Sequence, residues 1–242
     1  TDVDAAVSAA RAAFDEGPWR RTSAGEREAI LRKLADLVER DRELLAELEV
    51  LETGKPISEG RGCADELMAV LRYYAGWADK AEGGVIPAPN EYLAYTTREP
   101  LGVCAAITPW NYAISILSYK LAPALAMGNT LVVKPSELSP LGTLHVGRLC
   151  IEAGLPDGVV NIVTGAGDVG AALSSHPGID KVAFTGSTAT GRRVMSAASQ
   201  KPARVSLELG GKSAHIVFAD ADLDAAAEMV FWGIFTNAGQ VC

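Results

Sequence analysis

The chain has 242 residues, 48% of them apolar, enough for one large α/β domain or one and a half smaller ones with a sizeable core. A net charge of −8 without a Lys/Arg block argues against nucleic acid or an anionic membrane as partner, and no apolar run reaches the roughly 18 residues of a membrane span. The four cysteines, Cys63, Cys104, Cys150 and Cys242, are scattered and form no CxxC pair, so reduced thiols in a cytoplasmic protein are expected rather than a disulfide framework or a zinc site.

Thr1 or Asp2 can cap a first helix through Phe14, which Gly17 and Pro18 break. Ser23 and Glu26 form a capping box, each satisfying a backbone amide of the other's turn. A long amphipathic helical region follows, with Ile30, Leu31, Leu34, Leu37, Val38, Leu44, Leu45 and Leu48 recurring at three and four, until Thr53-Gly54-Lys55-Pro56 stops it. Residues 63–81 read as another amphipathic helix, and residues 91–99 alternate like a strand or hairpin arm. The first residue is not Met and the chain stops just after a helix, so both ends read as cut from a longer protein.

From residue 101 the rhythm becomes strand, turn, helix, repeated. GVCAAI, TLVVK, VVNIV, KVAFT and VSLEL are the strands, with helices at 114–127, 140–153, 167–175 and 189–199. Near-continuous apolar strands alternating with helices predict an α/β fold: a parallel sheet with helices on both faces, joined by right-handed crossovers. Ligands in such folds bind beyond the carboxyl ends of the strands. Polar or glycine-rich turns lie at those ends: Thr108 to Asn111, Lys134 to Glu137, Thr164 to Gly167, Thr185 to Ser187 and Glu208 to Gly211. Their convergence on one sheet edge predicts a bound polar ligand there.

Taken singly, these turns stay ambiguous. Gly165, Gly167 and Gly170 match GxGxxG, but no acidic residue ends the next strand to hold a ribose, so a tight structural turn is an equal reading. Gly186 and Gly191 have the spacing of a triphosphate-binding loop, yet Arg192 and Arg193 stand where Lys and Ser/Thr are required. The helix that begins nearby still offers free amides to a diphosphate. Lys134 and Glu137 could both hydrogen-bond ribose hydroxyls or form a surface ion pair. Asn111 fits an Asx-turn as well as a ligand contact. Glu208 lies in an apolar stretch where burial would poise it as a general base, though a strand glutamate also fits a solvated face. The histidines, His145, His176 and His215, are not spaced for a metal.

FTNAGQVC, ending on Cys242, taken together with LELGGKS, closely resembles the NAD(P)-dependent aldehyde dehydrogenase superfamily. PWNY, KPSE and FTGS occur between the expected strands in the expected order, and the resemblance covers essentially the whole chain. It implies a Rossmann-like cofactor domain from 1–81 and 101–210, an oligomerisation arm at 82–100, and only the start of a second, catalytic α/β domain at 211–242. Cys242 resembles the nucleophile, Glu208 the general base, and the Asn111 amide the oxyanion donor. Lys134 and Glu137 resemble the clamp on the adenine ribose, with Glu137 favouring NAD over NADP, and Ser136 and Phe184 match further cofactor-binding positions. Ile107, Thr108, Pro109 and Trp110 resemble a cofactor wall, Gly186 and Ser187 the diphosphate turn, Gly167 and Gly170 the adenine side, and Leu209 a nicotinamide contact.

By the same resemblance, Tyr112, Ile116, Tyr119 and Val241 match substrate-tunnel positions and suggest an aliphatic, aromatic or amino-aldehyde. The implied reaction oxidises an aldehyde to a carboxylic acid through a cysteine thiohemiacetal and thioester, in a homodimer or homotetramer. A non-catalytic dinucleotide-binding fragment is the alternative, and a hydroxyacid dehydrogenase, which needs no thiol, a third reading. No metal is implied.

Overall fold

The computed structural model describes residues 1–242. The first helix, α1 (Asp2–Asp15), starts where the sequence allows: the Thr1 hydroxyl accepts from the Asp4 amide and the Asp4 carboxylate takes the Thr1 amine in return. Val3, Val7, Ala10 and Ala13 are its buried stripe. The Ser23–Glu26 capping box opens α2 (Ala24–Arg40) with both reciprocal bonds made.

The long helical region is two helices rather than one, α2 and α3 (Arg42–Thr53), separated at Asp41. The apolar recurrence runs through the break, so periodicity alone could not show it. Asp41 is drawn out of line because its carboxylate is shared by Arg40 Nε at 2.7 Å and His145 Nε2 at 2.7 Å. The Arg40 guanidinium, helped by His145, holds that carboxyl down at about 2 against the opposing effect of burial. The next helix is α4 (Ile57–Ala75), beginning and ending six residues before the expected 63–81. Its start follows Pro56, and Gly60 and Gly62 near its beginning mask it in the sequence. Residues 91–99 are largely irregular, with only Ala94–Tyr95 (β2) forming a strand there, paired antiparallel with β1 (Val85–Ile86).

The remaining elements alternate as expected: β3 (Val103–Ile107), α5 (Ala113–Ala126), β4 (Thr130–Lys134), α6 (Leu141–Ala153), β5 (Val160–Ile162), α7 (Gly167–Ser175), β6 (Lys181–Gly186), α8 (Thr188–Ala198) and β7 (Arg204–Leu209). The five strands form one parallel sheet in the order β5-β4-β3-β6-β7. Side chains of β3 alternate between its two faces. Cys104 and Ala106 join the core under α2, α4, α5 and α6, whereas Val103, Ala105 and Ile107 join the core under α1, α7 and α8. Both faces are thus covered, which is why the strand reads as a continuous apolar run.

β7 departs from that expectation. It pairs only with β6 and its residues alternate between half-buried and exposed, so Glu208 projects into solvent, the solvated-face alternative of its two sequence readings. Beyond it, α9 (Leu223–Phe235) has no buried residue, leaving Phe231, Trp232 and Phe235 exposed. No helix is long and apolar enough to cross a membrane.

Polar ties join the layers. Trp19 Nε1 donates to the Asn129 carbonyl at 3.0 Å, and Lys120 Nζ on α5 donates to Thr185 Oγ1 on β6 at 2.9 Å. Burial holds the Lys120 ammonium down to about 8 from 10.5, against the pull of Glu208. α3 and α4 approach so closely that a Cβ on Gly60 would lie 2.7 Å from the Ala46 carbonyl oxygen.

Two consequences are measurable by denaturant unfolding. Gly60→Ala should destabilise the fold by roughly 1–3 kcal/mol, because backbone rather than a flexible side chain must yield. Folded Lys120 releases its proton near pH 8 while the unfolded chain keeps it to about 10.5, so unfolding takes up a proton in that window and stability rises with pH. The advantage of Lys120→Met over the parent should therefore shrink by roughly 2–3 kcal/mol between those pH values; a constant difference would contradict it.

Candidate active site

Parallel pairing brings the carboxyl ends of β3, β4, β6 and β7 to one edge, and a cleft of about 770 Å³ opens there. Its walls contain Cys242, Glu208 and Asn111 together with every cofactor position expected from the sequence, from Ile107 to Leu209. Val241 lines it as well. Tyr112, Ile116 and Tyr119 do not. They run at helical spacing along or just before α5, where Tyr119 Oη donates to Glu66 Oε1 on α4 at 2.6 Å. That bond pushes the Tyr119 phenol up to about 12, while burial does the same for Tyr112, whose surroundings include Glu59, Glu66 and Cys242.

The thiol is held in place through its backbone. Gly211 N donates to the Cys242 carbonyl at 2.6 Å, and a Cβ on Gly210 would come within 3.3 Å of the same oxygen. A glycine after β7 therefore lets the cysteine segment lie against the strand end that carries Glu208. On the other side, Asn111 Nδ2 donates to the Gln240 carbonyl at 2.7 Å. The segment reaches this position through a left-handed turn in which Asn237 and Ala238 both have φ of 54° and Gly239 has 78°. Two non-glycine residues in that region are unfavourable. Buried Asn237 offsets the cost by donating Nδ2 to the carbonyls of Asn111 and Gln240, each at 2.9 Å.

Lys134 is buried and meets Glu137 Oε2 at 3.3 Å across the Pro135 turn, so the pair is not simply a surface ion pair. Glu137's own backbone amide, with Lys134 assisting, holds its carboxyl below the usual range. Gly170 packs beside the Lys134 stem, and Ser139 Oγ ties this turn to the Trp110 carbonyl at 3.0 Å. Ser187 caps α8, its Oγ accepting from the Thr190 amide. The first amides of that helix remain free to face an anion. Thr108 Oγ1, on the cleft wall, is buried without a partner.

Several lining residues had escaped sequence reasoning: Ala171 and Ser174 on α7, and Thr190, Arg193, Val194 and Ala197 on α8. The available signal was helical spacing. Once Gly167 and Ser187 are placed at the cleft, Ala171 and Ser174 follow four and seven positions after Gly167, Thr190 and Val194 three and seven after Ser187, and Arg193 and Ala197 three positions beyond Thr190 and Val194, so they share one face of each helix. Gly239 and Gln240, in the turn that delivers the thiol, line the cleft as well.

The sequence pattern of the aldehyde dehydrogenase family matches residues 1–242. The chain is 55% identical over 249 residues to retinaldehyde dehydrogenase 3 of Homo sapiens, aligning 100% of itself with 48% of that protein. It is 53% identical to retinal dehydrogenase 2 of Gallus gallus over 245 residues, with 100% and 47% covered. Among solved structures, an NAD-dependent aldehyde dehydrogenase from Sinorhizobium meliloti superposes with a TM-score of 0.97 at 46% identity, over 100% of this chain and 48% of that one. An NAD+ complex of aldehyde dehydrogenase from Bacillus cereus gives 0.97 at 48% identity, over 99% and 49%. The chain spans about half the length of the curated relatives it matches. With that extent and identity, the chain belongs to the aldehyde dehydrogenase family.

Proposed function

We propose that the protein carrying this chain oxidises an aldehyde to a carboxylic acid with NAD+ as hydride acceptor. The observation that carries the reading is the meeting of a cysteine, an amide donor and a solvent-accessible glutamate in one cleft with a capped helix N-terminus and a lysine–glutamate pair. In this reading the Cys242 thiolate adds to the carbonyl carbon. The Asn111 amide and the Cys242 backbone amide stabilise the resulting oxyanion, a single such donor being worth roughly 3 kcal/mol. Glu208, open to water on its edge strand, takes a proton from the water that cleaves the thioester.

The residues present fit a dinucleotide. Thr108 Oγ1 supplies a buried polar atom in need of a partner, Lys134 and Glu137 a donor and an acceptor for ribose hydroxyls, and Ser187 with the start of α8 a seat for the diphosphate. When bound, the nicotinamide ring accepts the hydride. Glu137 disfavours the extra phosphate of NADP by charge repulsion, leaving NADP a poorer alternative. Residues 1–81 and 101–210 would then form the cofactor domain and 211–242 the opening of the catalytic one. The exposed Val85, Ile86 and Tyr95 of the arm suit assembly into a homodimer or homotetramer. The names of the relatives support an aldehyde substrate, and four unpaired thiols suit a reducing, cytoplasmic compartment.

The test is NADH formation by that protein against a panel of aldehydes. Cys242→Ser should lose at least about 10³-fold in kcat, and Asn111→Ala about 10²–10³-fold, with NAD+ binding retained in both. A protein that binds NAD+ yet oxidises no aldehyde would instead be a dinucleotide-binding module. Turnover surviving Cys242→Ser would favour a dehydrogenase that works without a thiol. Glu137→Gln should raise the ratio of kcat/KM for NADP to that for NAD by about tenfold, the scale of one like-charge contact near a protein surface.

A further inference from the structure

Outside the cleft, Lys55 and Glu49 form an ion pair sealed from solvent, Nζ to Oε2 at 2.7 Å with both side chains 0% exposed. A buried ion pair is a poor stabilising device, because desolvation of both charges offsets their attraction and apolar residues of similar volume often serve as well. The remaining contacts of this pair point to another role. Lys55 Nζ donates to the Asn111 backbone carbonyl at 3.0 Å, lies 4.6 Å from the centre of the Tyr112 ring, and meets Cys63 Sγ at 3.3 Å. Glu49 Oε1 accepts from the Ile114 amide at 2.9 Å. Apart from Cys63, the partners of the pair are all in residues 111–114, the turn that carries the Asn111 side chain into the cleft.

A second set of bonds closes the loop. Gln240 Nε2 donates to the Thr53 carbonyl at 3.1 Å, two residues before Lys55. The Gln240 carbonyl accepts from Asn111 Nδ2, and Asn237 Nδ2 joins Lys55 on the Asn111 carbonyl. The turn between α3 and α4 therefore grips both the segment bearing the amide and the segment bearing the thiol.

We propose that Lys55, charge-balanced by Glu49, is a positioning residue that fixes the Asn111 side-chain amide relative to Cys242. The inference rests on the reading of Asn111 as the oxyanion donor. With its carbonyl gripped by two donors, the peptide plane after Asn111 cannot rotate, and the direction of its Cα–Cβ bond is set. Displacing a group at the reacting centre by about 1 Å can cost about 10²-fold in rate.

The experiment is the double variant Glu49→Gln/Lys55→Met in the whole protein. It removes both charges together, so no lone charge is left buried, and the glutamine can still accept from the Ile114 amide. In its crystal structure the contact between Asn111 Nδ2 and the Gln240 carbonyl should open beyond 3.5 Å; an unchanged contact overturns the proposal. First-turnover NADH formation should fall by about 10–100-fold, with the Kd for NAD+ unchanged by fluorescence titration. In an Asn111→Ala background the same pair of substitutions should have less than about a twofold effect. An equal loss in both backgrounds overturns the proposal, since Lys55 would then be acting elsewhere. Should the double variant not fold, Lys55→Arg, which keeps the charge but not the compact ammonium, should lose about tenfold in the parent and nothing in Asn111→Ala. A parent without aldehyde oxidation would defeat the proposed function, and the crystallographic contact would alone decide the role of Lys55.

Discussion

The constraint on which the structure depends is that β3 pairs in parallel with β4 on one side and β6 on the other. Parallel strands need crossovers, so helices must fill both faces, and every strand must end at the same edge. Because successive strands go first to one side of β3 and then to the other, the loops after them part instead of crossing, and a crevice is left between them. The turn after β3, which leads through Thr108 to Asn111, sits at that parting. The expected cofactor positions and the Asn111 amide are neighbours for this topological reason before any side chain is chosen, and the Asn237 turn then adds the thiol.

Where hydropathy is governed by burial, the sequence could be read closely. Val103–Ile107 and Thr130–Lys134 are wholly buried, so their composition admits little besides strand. Ser23 and Glu26 announce a helix start by chemistry that acts within three residues. Legibility failed where a distant partner decides the outcome. Asp41 breaks the helical run because His145, from another helix, reaches its carboxylate. Glu208 sits among apolar neighbours in sequence, which left burial and a solvated face both open, and what decides between them is that its strand pairs on one side only, a property of the sheet. Tyr119, on the face of α5 turned toward α4, meets Glu66 there, a contact between two helices that no local spacing announces.

The site shows the same division. Apart from Cys242, its residues were recognisable as motifs at strand ends, and their meeting follows from the topology. The network beneath them was not recognisable. Thr53-Gly54-Lys55-Pro56 reads as a helix stop, which it is, with Gly54 left-handed at φ 74°. Nothing in the spacing reveals that the lysine turns inward to a glutamate six positions earlier, since a charged residue next to glycine and proline is ordinarily taken for a solvated turn. Asn237 is similar: within FTNAGQVC it seems an incidental polar residue, yet its side chain secures the backbone turn that delivers the cysteine.

The distribution of thiols has a consequence of its own. Cys63, Cys104 and Cys150 are buried, and burial raises all three, Cys104 to about 11 and Cys150 to about 12. Cys242 is the exposed one. Sulfur becomes nucleophilic only as thiolate and only where a reagent can reach it, and core thiols meet neither condition. Of the four thiols in this chain only Cys242 is therefore open to an electrophile or an oxidant in solution, and modification of any of the other three would report that the fold around it has opened.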